Sequence, residues 1–143
     1  MAIDLRELLH DLSEQYSLVA IYAFGSRADE VAARVAGQPA VAAHARSDVD
    51  VGVLPVRGHH LTIRDRVRIA VALEDALDVS RVDLVLLPEA KAVLAADIVC
   101  GELLYTTDAD AEAEFQLYAL RRVADLAPFE RERRRRFLAG EAY

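Results

Sequence analysis

The stretch IYAFGSRADEVAARVAGQPAVAAHARSDVDVGVL, residues 21–54, decides how this chain is read. An apolar run ends in Gly25-Ser26, and a second apolar run begins with Asp48-Val49-Asp50. Carboxylates are costly on a buried strand unless something pairs with them. On a strand, side chains two apart share a face, so Asp48 and Asp50 point one way and Val49, Val51 and Val53 the other. Gly52 continues the aspartate face without a side chain, and the expectation is room for a ligand there. An isolated D-x-D also has a bland reading, with Ser47 and Asp48 as turn residues and Asp50 merely solvated.

Asp83 shifts that balance. It stands between Val82 and Leu84 in another apolar run, RVDLVLL, residues 81–87. Three aspartates on two strands can converge on one point. All-oxygen ligation of that kind suits magnesium, which keeps waters and is completed by substrate phosphates. Gly25-Ser26 supplies the other half. A glycine closing a strand just before a helix lets backbone amides approach a phosphate at the helix N-terminus. The bland alternative is Ser26 as a plain N-cap.

Outward from this stretch, helices and strands alternate. Leu5–Tyr16 has a helical apolar face, and 18–24 reads as a buried strand. Residues 27–36 read as a short helix ended by Gly37 and Pro39, and 48–54 as a strand stopped by Pro55. Residues 63–77 read as a helix with Thr62 as N-cap, and 81–87 as a strand stopped by Pro88. Residues 89–99 read as a helix, and the ELLY segment from Glu102 as a short strand. A long helix is expected over 108–126, broken by Pro128 and followed by a last, mostly polar helix. The class is α/β or α+β, a small sheet flanked by helices, with strand direction left open. The expected division is a domain over 1–106 and a helical extension over 107–143.

Composition narrows the function classes. Net charge is −7, from 24 acidic and 17 basic residues, which argues against a general nucleic-acid binder. Lys91 is the only lysine, and five arginines fall within RERRRR, residues 131–136. That run reads as a solvated helix face or as a contact for an acidic partner or RNA. The single cysteine, Cys100, sits in an apolar context and reads as an inert buried thiol. The N-terminus lacks a secretory pattern and no run is long enough to span a membrane, so the expectation is a cytoplasmic protein without membrane contact. His44, His59 and His60 lie in loop-like stretches without the spacing of a zinc site. Arg27 is a candidate for a phosphate, with simple solvent exposure as the alternative, and Arg46 is the runner-up.

Taken together, AFGSRA, SDVDVGVL and RVDLVLL resemble the motifs of the minimal nucleotidyltransferases of the DNA polymerase beta superfamily. LAADIVCGELLY is similar to that family's segment after the third carboxylate. The resemblance runs over residues 5–106. It implies that Asp48 and Asp50 hold two Mg²⁺ ions, and that Asp83 is a third ligand and a base near the attacking hydroxyl. It implies that Gly25 and Ser26, with Arg27 beside them, hold the triphosphate of ATP. The chain departs from the family in its long spacer, residues 27–47, which would lie beside the nucleotide and reshape acceptor access. Small members of the family resemble antitoxins paired with a HEPN-domain toxin, which implies AMP transfer from ATP to a toxin tyrosine. A small-molecule, aminoglycoside-type nucleotidyltransferase and a non-catalytic binding antitoxin are the alternatives, and oligomer formation is left open.

Overall fold

The computed structural model describes residues 4–41 and 47–140. His44 and Arg46 therefore lie outside the described residues, as does most of the indeterminate VAAHAR segment. The elements run α1 (Leu5–Tyr16), β1 (Leu18–Phe24), α2 (Ala28–Val35), β2 (Val49–Pro55), α3 (Ile63–Leu77), β3 (Val82–Leu86), α4 (Ala92–Val99), β4 (Glu102–Thr106) and α5 (Ala109–Leu138). The four strands form one sheet in the order β3-β2-β1-β4. β1 pairs antiparallel with both β2 and β4, while β2 and β3 run parallel.

Helices cover both faces of this mixed sheet. On one side Ile21, Ala23, Val49, Val51 and Val53 pack with Leu9 and Leu12 of α1, Val31 of α2 and Ile69 and Leu73 of α3. On the other side Ala20, Tyr22 and Leu54 pack with Ala95 and Ile98 of α4 and Ala119 of α5. That two-sided burial explains why β1 is an unbroken apolar run rather than an alternating one. The parallel β2–β3 pair is joined through α3, which Thr62 starts with a capping box closed by Asp65. No helix among the described residues is long and apolar enough to cross a membrane.

Three expectations about the elements are corrected. Pro55 ends inside β2, opposite Leu18, instead of stopping the strand before it. At Pro88 the chain makes a 3₁₀ turn over Leu87–Glu89, so α4 begins at Ala92 rather than at 89. The third correction is the largest. Pro128 does not break the last helix, and α5 runs as 30 residues through it. A proline removes one backbone donor and crowds the preceding turn, at a cost of about 3 kcal/mol.

The two ends of α5 differ. Asp108 caps its start, accepting from the amide of Ala111. Glu112, only 8% exposed, accepts the hydroxyl of Tyr22 at the centre of the sheet. Gln116 donates to the Val99 carbonyl at the end of α4, 3.2 Å away. Phe115 and Ala119 face the core, while Tyr118 and Leu126 are exposed. Residues 131–138 are exposed, and Arg135 and Arg136 pair with Glu132 along the helix itself.

Candidate active site

The candidate site forms at the edge of the sheet where β2 begins. Asp50 is the second residue of β2 and sits in register between Phe24 of β1 and Asp83 of β3. Parallel pairing therefore brings Asp50 and Asp83 side by side, which the sequence could not specify. Asp48 lies just before β2. Its side chain is 44% exposed and that of Asp83 is 40% exposed. Burial, and then the neighbouring charges of Asp83 and Asp48, push the Asp50 carboxyl above the usual aspartate range. Asp50 thus lies within the electrostatic reach of the other two carboxylates.

Gly25 completes the corner. It follows β1 in a left-handed conformation, with φ +77°, and a Cβ there would stand 2.4 Å from Oδ2 of Asp50. Only glycine permits both the turn and this approach. Ser26 is exposed beside it. The N-cap position of α2 belongs to Arg27, whose side chain makes no capping bond, so Ser26 is not the plain cap of the bland reading. The amides of that first turn are left without a side-chain acceptor there, the condition under which a helix N-terminus attracts an anion.

Arg27 is not the solvent-exposed side chain of the alternative reading. It is 6% exposed. Its guanidinium is committed to Glu30, 2.7 Å away, and to the backbone carbonyl of Ser47, at 3.1 Å. Those bonds tie the start of α2 to the residue before Asp48, closing the long 27–47 spacer at its far end.

Gly52 does not leave ligand space. The Ile98 side chain of α4 fills it, and a Cβ on Gly52 would meet Ile98 Cγ2 at 2.6 Å. The open part of the aspartate face is therefore confined to Asp50 and the residues around it. Cys100 is also corrected, being exposed at the C-cap of α4 rather than buried. Its apolar neighbours in sequence turn inward while the cap residue does not.

Sequence reasoning missed Arg81. Its Nε donates to Asp83 Oδ1 at 3.0 Å and lies 3.8 Å from Asp48 Oδ2. The signal was present as Arg-x-Asp entering a strand, where alternation puts both side chains on one face. The Tyr22–Glu112 pair was missed as well. Burial, and then its bond to Glu112, drive the Tyr22 hydroxyl well above its ordinary value.

Magnesium can be tested against these residues. Among the described residues no three His, Cys, Asp or Glu side chains stand close enough to cage one ion. Magnesium does not require such a cage, since it takes one or two carboxylates and completes its shell with phosphates and water. The all-oxygen donor set, the crowding of negative charge on Asp50 and the small-residue cradle at Gly25 fit it. Among the described residues, clefts lie beside α2 and against α5. One of about 580 Å³ is lined by Arg34, Leu77 and Asp78 beside Arg27 and Glu30. The other, of about 670 Å³, is formed by the exposed His59 and His60 loop against Phe115 and Tyr118.

The chain is similar to known proteins over most of its length. The family model described as polymerase beta, nucleotidyltransferase matches residues 7–110. No curated protein matches the chain. Among solved structures, a chain of a toxin–antitoxin complex with AMP-PNP is 25% identical with a TM-score of 0.66, covering 94% of this chain and 98% of that one. A chain of the toxin–antitoxin MntA–HepT is 24% identical with a TM-score of 0.63, covering 93% of this chain and 96% of that one. The complex of a tri-AMPylated Shewanella oneidensis HEPN toxin with its MNT antitoxin contains a chain 24% identical, TM-score 0.62, covering 93% of this chain and 95% of that one. The mixed sheet, the Gly25 corner and the paired aspartates at its edge thus stand within a family match that spans most of the sequence, and the chain belongs to the polymerase beta nucleotidyltransferase family.

Proposed function

We propose that the chain is a magnesium-dependent protein adenylyltransferase, an antitoxin that moves AMP from ATP to a tyrosine hydroxyl of a partner HEPN toxin in the cytoplasm. The observation that carries the reaction is the close approach of Gly25 to Asp50 with Asp83 in register beside it. Support for the acceptor comes from the likeness to toxin–antitoxin chains, one of them bound to a tri-AMPylated HEPN toxin.

On this reading residues 1–106 form the nucleotidyltransferase body and 107–143 a helical extension for the partner. Asp48 and Asp50 would hold the Mg²⁺. Bound there, Mg²⁺ supplies positive charge that neutralises the triphosphate and eases loss of the acceptor proton. Gly25 and Ser26 receive the phosphates at the N-terminus of α2, where the first-turn amides and the helix dipole favour negative charge. Arg27 serves the nucleotide through position, holding the Ser47 carbonyl and with it the approach to Asp48. Asp83 accepts the proton of the incoming hydroxyl. The acceptor oxygen attacks the α-phosphorus in line. A new O–P bond forms as the bond from the α-phosphorus to the pyrophosphate oxygen breaks, and pyrophosphate leaves. Positioning and charge placement carry most of the rate.

The test is incubation with α-labelled ATP, Mg²⁺ and a candidate HEPN toxin partner, with the label located by mass spectrometry. AMP on a toxin tyrosine is expected, and Asp48→Asn or Asp50→Asn should abolish it without loss of fold. Full transfer by both variants would remove the carboxylates from the mechanism. Labelling of a small molecule in place of the toxin would move the acceptor to another class.

A further inference from the structure

Asp48, Asp50 and Asp83 crowd one edge of the sheet, and like charges in that proximity need a counter-charge. Arg81 provides one. Its planar guanidinium is always charged and reaches two of the three carboxylates, at 3.0 Å and 3.8 Å. Its backbone is anchored, since the Arg81 carbonyl accepts from the amide of Val49 at 3.1 Å, on the strand that carries Asp50. Its side chain is 68% exposed, free to swing into solvent without opening the core. The bond to Asp83 Oδ1 also occupies an oxygen that would otherwise take up the acceptor proton.

We propose that Arg81 is a built-in counter-ion that holds Asp48 and Asp83 in the resting protein and is displaced by the divalent cation. Asp83 is thereby released to act only once the cation has arrived. This rests on the nucleotidyl-transfer reading and adds a positioning residue to it. An arginine in this place lowers cation affinity, because the two positive charges compete for Asp48 and repel each other within one carboxylate cluster. In return it keeps the empty carboxylate cluster from repelling itself.

Magnesium alone is the probe, added to the full chain. The Nε–Hε signal of Arg81, followed by ¹⁵N–¹H NMR, should begin protected and then shift and exchange faster as Mg²⁺ saturates the site. Saturation is judged by the carboxylate carbon of Asp50. Arg81→Ala should bind Mg²⁺ roughly three- to five-fold more tightly, the scale of an exposed charge pair. Arg81→Lys, which keeps the charge but not the planar fork, should fall between. An Arg81 signal unmoved at saturation overturns the inference, and so does equal or weaker Mg²⁺ binding by Arg81→Ala. Failure of both wild type and Arg81→Ala to bind Mg²⁺ would instead remove the metal-dependent reading on which it stands.

Discussion

Replacing Gly25 with alanine separates backbone strain from damage to the site. The residue sits at φ +77°, a conformation that costs an L side chain about 1–2 kcal/mol. For a chain of this size that lowers Tm by about 3–6 °C. The new Cβ would also stand 2.4 Å from Asp50 Oδ2, whereas ordinary contact begins at 3.4 Å. The carboxylate can rotate away, so the clash adds little to the loss of stability. It must retreat by about 1 Å, however, and misplacement on that scale costs a reaction about 10²-fold. Gly58→Ala is the control. Gly58 has φ +84° with nothing within 4 Å of its added Cβ. Calorimetry should show similar Tm losses for the two variants. Mg²⁺ titration and single-turnover AMP transfer should fail in Gly25→Ala alone. If Gly25→Ala keeps wild-type Mg²⁺ affinity and rate, or Gly58→Ala loses as much, the Gly25–Asp50 contact has no functional consequence.

Three further outcomes are expected. Tyr22→Phe leaves the buried Glu112 without its donor and should cost about 1–3 kcal/mol in urea unfolding, with Glu112→Gln milder because its amide oxygen still accepts; equal, negligible effects would show that the pair does not anchor α5. The Glu132 carboxyl is held down at about 2 by its bonds to Arg135 and then Arg136, so its ion pairs should support the helix fully above 4.5 and lose that support as pH falls towards 2. A ¹³C NMR titration checks this, and an ordinary glutamate midpoint for Glu132 would refute it. Deleting residues 129–143 should leave Tm nearly unchanged, because the described side chains of 131–138 are exposed, while slowing toxin modification most at low salt. Unfolding of the truncated chain would make the tail structural.

Local patterns carried most of the element reading. The period-3.6 face of α1 and α3, the Thr62 cap and the β-branched run of β1 are properties of neighbouring residues, so Leu5–Tyr16, Ile63–Leu77 and Leu18–Phe24 stand where they were expected. Alternation likewise put Val49, Val51 and Val53 into the core and Asp50 on the other face. Glycine and aspartate at the ends of apolar runs marked the candidate corner, because such residues are costly in those places unless the fold uses them.

What only the tertiary structure decided concerns pairs of residues far apart in the chain. Strand direction came from β2 running parallel to β3 and antiparallel to β1, and that register alone set Asp50 beside Asp83. Gly52 looked like open space until Ile98, from a different element, filled it. Arg27 had solvent exposure as its alternative reading until Glu30 and the Ser47 carbonyl closed around it, and Arg81 gained meaning only from Asp83 and Asp48. Pro128 remained inside α5 although its local preference is to end a helix. Sequence by itself determined which segments are helical or extended and which side of each is apolar, because backbone preference and periodicity are short-range. The shape and charge of the candidate site were left to packing and register, where side chains from separate elements compete for the same few ångströms.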